Sequence, residues 1–82
     1  MNYKIVLEKK AEKFLLKQTE VQRKRLLGAI YHLPFEGDIK PMKGYDDLFR
    51  LRVGSYRILY NVRNDILVVQ VIEIGNRGDI YK

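Results

Sequence analysis

The chain has 82 residues, with 16 Lys and Arg against 10 Asp and Glu, for a formal net charge of +6. That length holds a single domain, residues 1–82, with a small core. The absence of cysteine excludes disulfides and thiolate metal sites and suits a reducing cytosol. No apolar run approaches the roughly 18 residues of a membrane span, and the N-terminus MNYKIVLEKK lacks the apolar region of a signal peptide. Hydrophobic residues make up 46%, which fits a globular chain. The positive excess predicts attraction to nucleic acid, an anionic membrane surface or an acidic protein, without choosing among them.

In chain order, Tyr3 to Leu7 is short, apolar and β-branched, and reads as a strand. From about Glu8 to Lys17 the period changes to that of a helix. Ala11, Phe14 and Leu15 form its apolar stripe, Leu16 falls off it, and Lys9, Lys10, Lys13 and Lys17 lie outside it. Thr19 with Gln22 three residues on matches a capping box. The second helix then runs to about Leu33, burying Leu26, Leu27, Ala29, Ile30 and Leu33, and Pro34 stops it. Arg23, Lys24 and Arg25 read as a solvated basic face of that helix. The link is so short that the two helices should form an antiparallel hairpin. His32, the single histidine, sits near the helix end and reads as a cap or surface residue.

Residues 35–45 read as a loop carrying Lys40 and Lys43, with Gly44 turning the chain into the next strand. Residues 49–60 then read as a β-hairpin about a Gly54-Ser55 turn. In the two-residue register Val53 pairs with Tyr56, Arg52 with Arg57, Leu51 with Ile58, Arg50 with Leu59 and Phe49 with Tyr60. Side chains alternate across a strand, and cross-strand partners share a face. One face is then apolar, and the other carries Arg50, Arg52, Arg57 and Leu59. Like charges directly opposed weaken a sheet, so this pairing makes physical sense if an anion sits between planar guanidinium forks; a solvated basic face is the plain alternative. Asn64-Asp65 reads as a turn, and the near-continuous apolar run from Ile66 to Ile74 as a central strand, broken by Gly75 and Gly78. The predicted class is α+β: an N-terminal strand, an antiparallel helical hairpin, then a three-strand antiparallel meander. The small sheet has the helices on one face and the arginines on the other.

Most catalytic templates are missing. There is no cysteine, one histidine and no Gly-rich phosphate loop, and Asp46-Asp47 is the only adjacent acidic pair, so no metal or cofactor is expected. Arginine and tyrosine chemistry remains. RNA carries its own nucleophile, the 2′-hydroxyl, so cleavage requires strand orientation and charge stabilisation, and arginines supply the second.

The stretch KGYDDLFRLRVGSYRILY (residues 43–60), followed by Gly75-Asn76-Arg77 and Tyr81, resembles RelE-type toxins of the RelE/ParE toxin–antitoxin superfamily over essentially the whole chain. The resemblance implies a cytoplasmic bacterial or archaeal stress-response toxin: a metal-independent mRNA endonuclease that cuts messenger RNA in the ribosomal A site, leaving a cyclic or 3′-phosphate end. It implies that a cognate antitoxin neutralises the toxin and that the pair binds operator DNA through the antitoxin. By position, Arg57 and Arg77 resemble the phosphate-stabilising arginines, and Tyr81 the tyrosine that stacks on a base or assists proton transfer. Arg50 and Arg52 stand where some relatives have lysine, and Lys43 where a basic residue contacts RNA. Lys40 joins these as an RNA-binding candidate, as do Lys9, Lys10, Lys13, Lys17, Arg23, Lys24 and Arg25.

Arginines at 50 and 52 cannot act as general bases, and Asn76 replaces a titratable residue of many relatives, which shifts proton transfer toward Tyr81. The closing helix of some relatives has no counterpart before Lys82, leaving an edge for the antitoxin to cover. Two other functions compete with RNA cleavage: a ParE-like inhibitor of DNA gyrase, and a non-catalytic RNA-binding regulator.

Overall fold

The computed structural model describes residues 2–76. Its elements run β1 (Lys4–Leu7), α1 (Lys9–Leu16), α2 (Glu20–Tyr31), β2 (Asp38–Pro41), β3 (Leu48–Val53), β4 (Tyr56–Arg63) and β5 (Val68–Asn76). The strands form one sheet in the order β1-β5-β4-β3-β2. The β3–β4–β5 meander is antiparallel, as is β2 against β3, and only β1 runs parallel to its neighbour β5. The α+β class and the meander agree with the sequence. The central hairpin has the predicted register throughout, from Val53 opposite Tyr56 to Phe49 opposite Tyr60.

The helices follow from their residue spacing. Ala11 and Leu15 of α1, and Leu26 and Ile30 of α2, are buried, whereas Leu16 is exposed. Thr19 Oγ1 accepts from the Gln22 amide at 3.2 Å, so half of the capping box forms. The return half does not, because Gln22 Oε1 is buried without a hydrogen-bond partner. The second helix ends at Tyr31, two residues before the predicted limit. His32 is its C-cap, with Nδ1 2.7 Å from the Gly28 carbonyl. Leu33 stays buried although it lies beyond the helix.

The core joins those helical residues and Leu33 to Leu51, Ile58, Tyr60, Val69, Val71 and Ile74 on one face of the sheet. Tyr60 is buried there and stacks on Phe49, with ring centroids 5.6 Å apart at 22°. Burial disfavours the phenolate and pushes the Tyr60 phenol up to about 12. In the unfolded chain it titrates near pH 10. Between about pH 10 and 12 the unfolded state has lost this proton and the folded state retains it, so stability falls as pH rises. Below about pH 10 the contribution is fully present. Urea melts at successive alkaline pH values should show a loss of stability that is shallower in Tyr60→Phe; equal slopes would mean that the phenol is not held neutral.

Three boundaries differ from the sequence reading. The predicted loop contains the edge strand β2, whose Ile39 pairs with Leu51. It is short and ends in Pro41, and proline is tolerated in sheets at edges. Residues 64–67 form the β4–β5 turn, with Leu67 at φ +54°, so Ile66 and Leu67 precede the last strand. Gly75 does not break β5: it pairs with Arg57, and Asn76 with Tyr56.

Gly37 lets β2 approach β3. Its φ is +128°, and a Cβ there would lie 2.6 Å from Cδ1 of buried Leu51. Gly37→Ala combines backbone strain with a core clash. It should lower unfolding free energy by about 1–3 kcal/mol in denaturant melts; an unchanged midpoint would mean that the edge strand is not seated this tightly.

Candidate nucleic-acid interface

The face of the sheet opposite the helices is built in cross-strand rows. Asp38, Arg52, Arg57 and Gly75 occupy one row across β2, β3, β4 and β5. Lys40, Arg50 and Leu59 occupy the next. Alternation sends these side chains away from the core while Leu51 and Ile58 point into it. Gly75, itself buried, contributes no side chain to its row.

Between these rows and the segment after β2 lies a cleft of about 320 Å³, lined by Lys40, Pro41, Met42, Lys43, Arg50, Arg52 and Arg57. Five of its seven lining residues are cations. The missed edge strand thus supplies one wall of the site and one of its charges, Lys40, and the segment after it supplies Lys43. The three arginines do not extend freely into solvent. Arg50 is buried at 7% exposure, and Arg52 and Arg57 are half-buried. Arg52 Nε is buried without a hydrogen-bond partner, and Arg50 Nη1 likewise. Arg50 Nη1 lies 3.9 Å from Asp38 Oδ1, beyond hydrogen-bond reach. Desolvated guanidinium donors attract an anion more strongly than hydrated ones, because less water must be displaced and the local dielectric is lower.

The hairpin tip that carries Arg52 and Arg57 is seated on the helices. A Cβ at Gly54, where φ is +58°, would lie 2.8 Å from Arg25 Nη2. Tyr56 donates its hydroxyl to Gln18 Oε1 at 3.2 Å and meets Phe14 edge-on, with centroids 6.0 Å apart. Arg25 therefore packs on the turn. Arg23 is no simple solvated cation either: its Nε donates to the Leu15 carbonyl at 3.1 Å and its Nη2 to that of Gln18 at 2.9 Å, closing the end of α1. Lys24 pairs with Glu20 and Lys10 with Glu73. Lys9, Lys13 and Lys17 are exposed on α1, apart from the cleft.

The structure brings together Arg50, Arg52, Arg57, Lys40 and Lys43 and leaves the helical cations on another surface. Arg77 and Tyr81 lie outside the described residues. Asp38 was absent from the sequence candidates. The polar–apolar–polar order Asp38-Ile39-Lys40 before Pro41 is the signal that an edge strand places it beside the arginines. Among the described residues no three His, Cys, Asp or Glu side chains gather as a metal site.

The model of the family described as ParE toxin of type II toxin–antitoxin system matches residues 5–81. The toxin RelE3 of Methanocaldococcus jannaschii is 41% identical over 44 residues, 54% of this chain and 48% of that protein. The chain spans about half the length of the curated relatives it matches. The toxin in the archaeal RelE–RelB complex from Pyrococcus horikoshii OT3 superposes with TM-score 0.78 at 25% identity, covering 96% of this chain and 99% of that one. In the RelB–RelE antitoxin–toxin complex from Methanococcus jannaschii the TM-score is 0.74 at 30% identity, with coverage of 93% and 94%. The chain belongs to the ParE toxin family of type II toxin–antitoxin systems, and within it is a RelE-type toxin.

Proposed function

We propose that this toxin is a ribosome-dependent endonuclease that cuts messenger RNA in the A site and so blocks translation. The observation that carries the reading is the cleft itself: five cations from β2, β3, β4 and the segment after β2 surround a space of about 320 Å³, and Arg52 and Arg57 are directly opposed. In this reaction the RNA 2′-hydroxyl gives up its proton and attacks the adjacent phosphorus, and the 5′-oxygen leaves with a proton, giving a 2′,3′-cyclic phosphate that water can then open to a 3′-phosphate. The protein must align the strand and stabilise the added negative charge on the phosphate oxygens, which preorganised donors do effectively. Arg57, Arg52 and Arg50 have that role, with Lys40 and Lys43 holding the flanking backbone. Arg77 completes the phosphate set, and Tyr81 stacks on a base or moves the proton.

A cognate antitoxin is the proposed protein partner. The net charge of +6 suits an acidic, helix-forming chain, and the two solved relatives above are toxin–antitoxin complexes. The proposed setting is the cytoplasm of a bacterium or archaeon, where the pair binds its operator through the antitoxin. Among the described residues no helix is long and apolar enough to cross a membrane.

A second reading, a gyrase-inhibiting toxin, has one observation in its favour: the matching family model is described by ParE. Cell-free translation with primer extension, run beside a supercoiling assay, separates the two. Message cuts phased with codons support endonuclease action. Intact message with failing supercoiling moves the assignment to gyrase, and no effect on either overturns both.

A further inference from the structure

We propose that Asp38 is a positioning residue: through Arg50 it holds the arginine set in the geometry that cleaves, while weakening the cleft's hold on RNA. The inference rests on the endonuclease reading and adds an acidic member to a site otherwise composed of cations. Three observations carry it. Arg50 is the only buried charged residue among those described, at 7% exposure. Its one ion pair among them is with Asp38, at 3.9 Å, and Nη1 has no hydrogen-bond partner. Asp38 stands directly opposite Arg52, in the row that continues to Arg57.

A buried guanidinium without a counter-charge is strongly unfavourable. Asp38 supplies that charge from β2. At 3.9 Å it orients the group electrostatically without taking Nη1 as a hydrogen-bond donor, while Arg50 still lines the cleft. Asp38 also lies between like charges. Without it, Arg50 faces Arg52 and Lys40 with no opposing charge, and their repulsion favours a swing of the Arg50 side chain out of the cleft. Gly37 makes the placement possible, because only a residue without Cβ fits against Leu51 at that point.

Removing this carboxylate should therefore push binding and catalysis in opposite directions. Asp38→Asn makes the cleft more positive, so a non-cleavable message with a 2′-deoxy nucleotide at the cut site should bind ribosome-associated toxin several-fold tighter, and unchanged binding would overturn the weakening role. Single-turnover cleavage should nonetheless fall about tenfold. Asp38→Glu, which restores the charge, should recover most of that rate. The pH–rate profile of Asp38→Asn should keep its shape with a lower plateau. Loss of one limb would make Asp38 itself the proton acceptor and overturn the positioning role. Parental cleavage by Asp38→Asn would overturn it too, as would parallel losses of binding, rate and melting temperature. The Nε–Hε resonance of Arg50 gives a readout that needs no activity. It should be protected from exchange in the parent and lose protection in Asp38→Asn; equal protection in both overturns the proposal. A parent protein that cuts no message defeats the endonuclease reading and leaves this resonance test of the pair in force.

Discussion

Arg57→Ala is expected to lower single-turnover cleavage on programmed ribosomes by roughly 100–1000-fold, the loss seen when one preorganised charge-stabilising donor is removed. The same variant should lose far less stability than activity. Arg57 is on the outer face of β4, directly opposite Arg52, and contributes nothing to the core cluster. Truncation leaves no core cavity and removes a like-charge contact worth a few tenths of a kcal/mol. Its row neighbour Gly75 has no side chain to shift into the space. Arg77→Ala is expected to act similarly if it contacts the same phosphate. Thermal unfolding must be measured beside cleavage for each variant. A variant that melts early and loses activity in proportion to its unfolded fraction would mark a structural residue, and the catalytic role would pass to its neighbours.

The hairpin register was legible because three signals agree on it: a Gly-Ser turn, alternation on both sides, and a wholly apolar face opposite one on which Leu59 is the only apolar residue among three arginines. A one-residue slip would have sent Leu51 and Ile58 to the arginine face, so the register was strongly specified. The edge strand was illegible for the converse reason. Only Ile39 among its four residues is apolar, and it is bounded by Gly37 and Pro41, which read as loop punctuation. Missing it concealed both Asp38 and the cleft's second wall. Gly75 misled through its backbone reputation, since glycine weakens strands in general but pairs with Arg57 within this ladder. Arg23 and Arg25 read as solvated because one-dimensional patterning cannot show that a helix end or a turn lies within reach of a long side chain. The burial of Arg50 was equally hidden, because alternation gives the face a residue points to and not what lies over it.

Salt separates the cleft from the helical cations. A short single-stranded RNA that occupies the cleft would neutralise four to five phosphates through Lys40, Lys43, Arg50, Arg52 and Arg57. Counterion release then gives log affinity a slope near −3 against log salt, so raising salt from about 50 to 200 mM should weaken binding on the order of 100-fold. Lys9, Lys13 and Lys17 are exposed on α1, which packs on the opposite face of the sheet. Reversing those three charges should leave the short-RNA slope unchanged. On ribosomes, whose RNA surface is far larger, the same reversal should weaken binding and flatten the salt dependence. Titrations of both ligands with the parent and the reversed variant test this division. A short-RNA slope that falls with the helical charges would place RNA on α1 instead of in the arginine cleft. Ribosome binding indifferent to the reversal would reduce those lysines to solvated surface, leaving the cleft as the basic region that engages RNA.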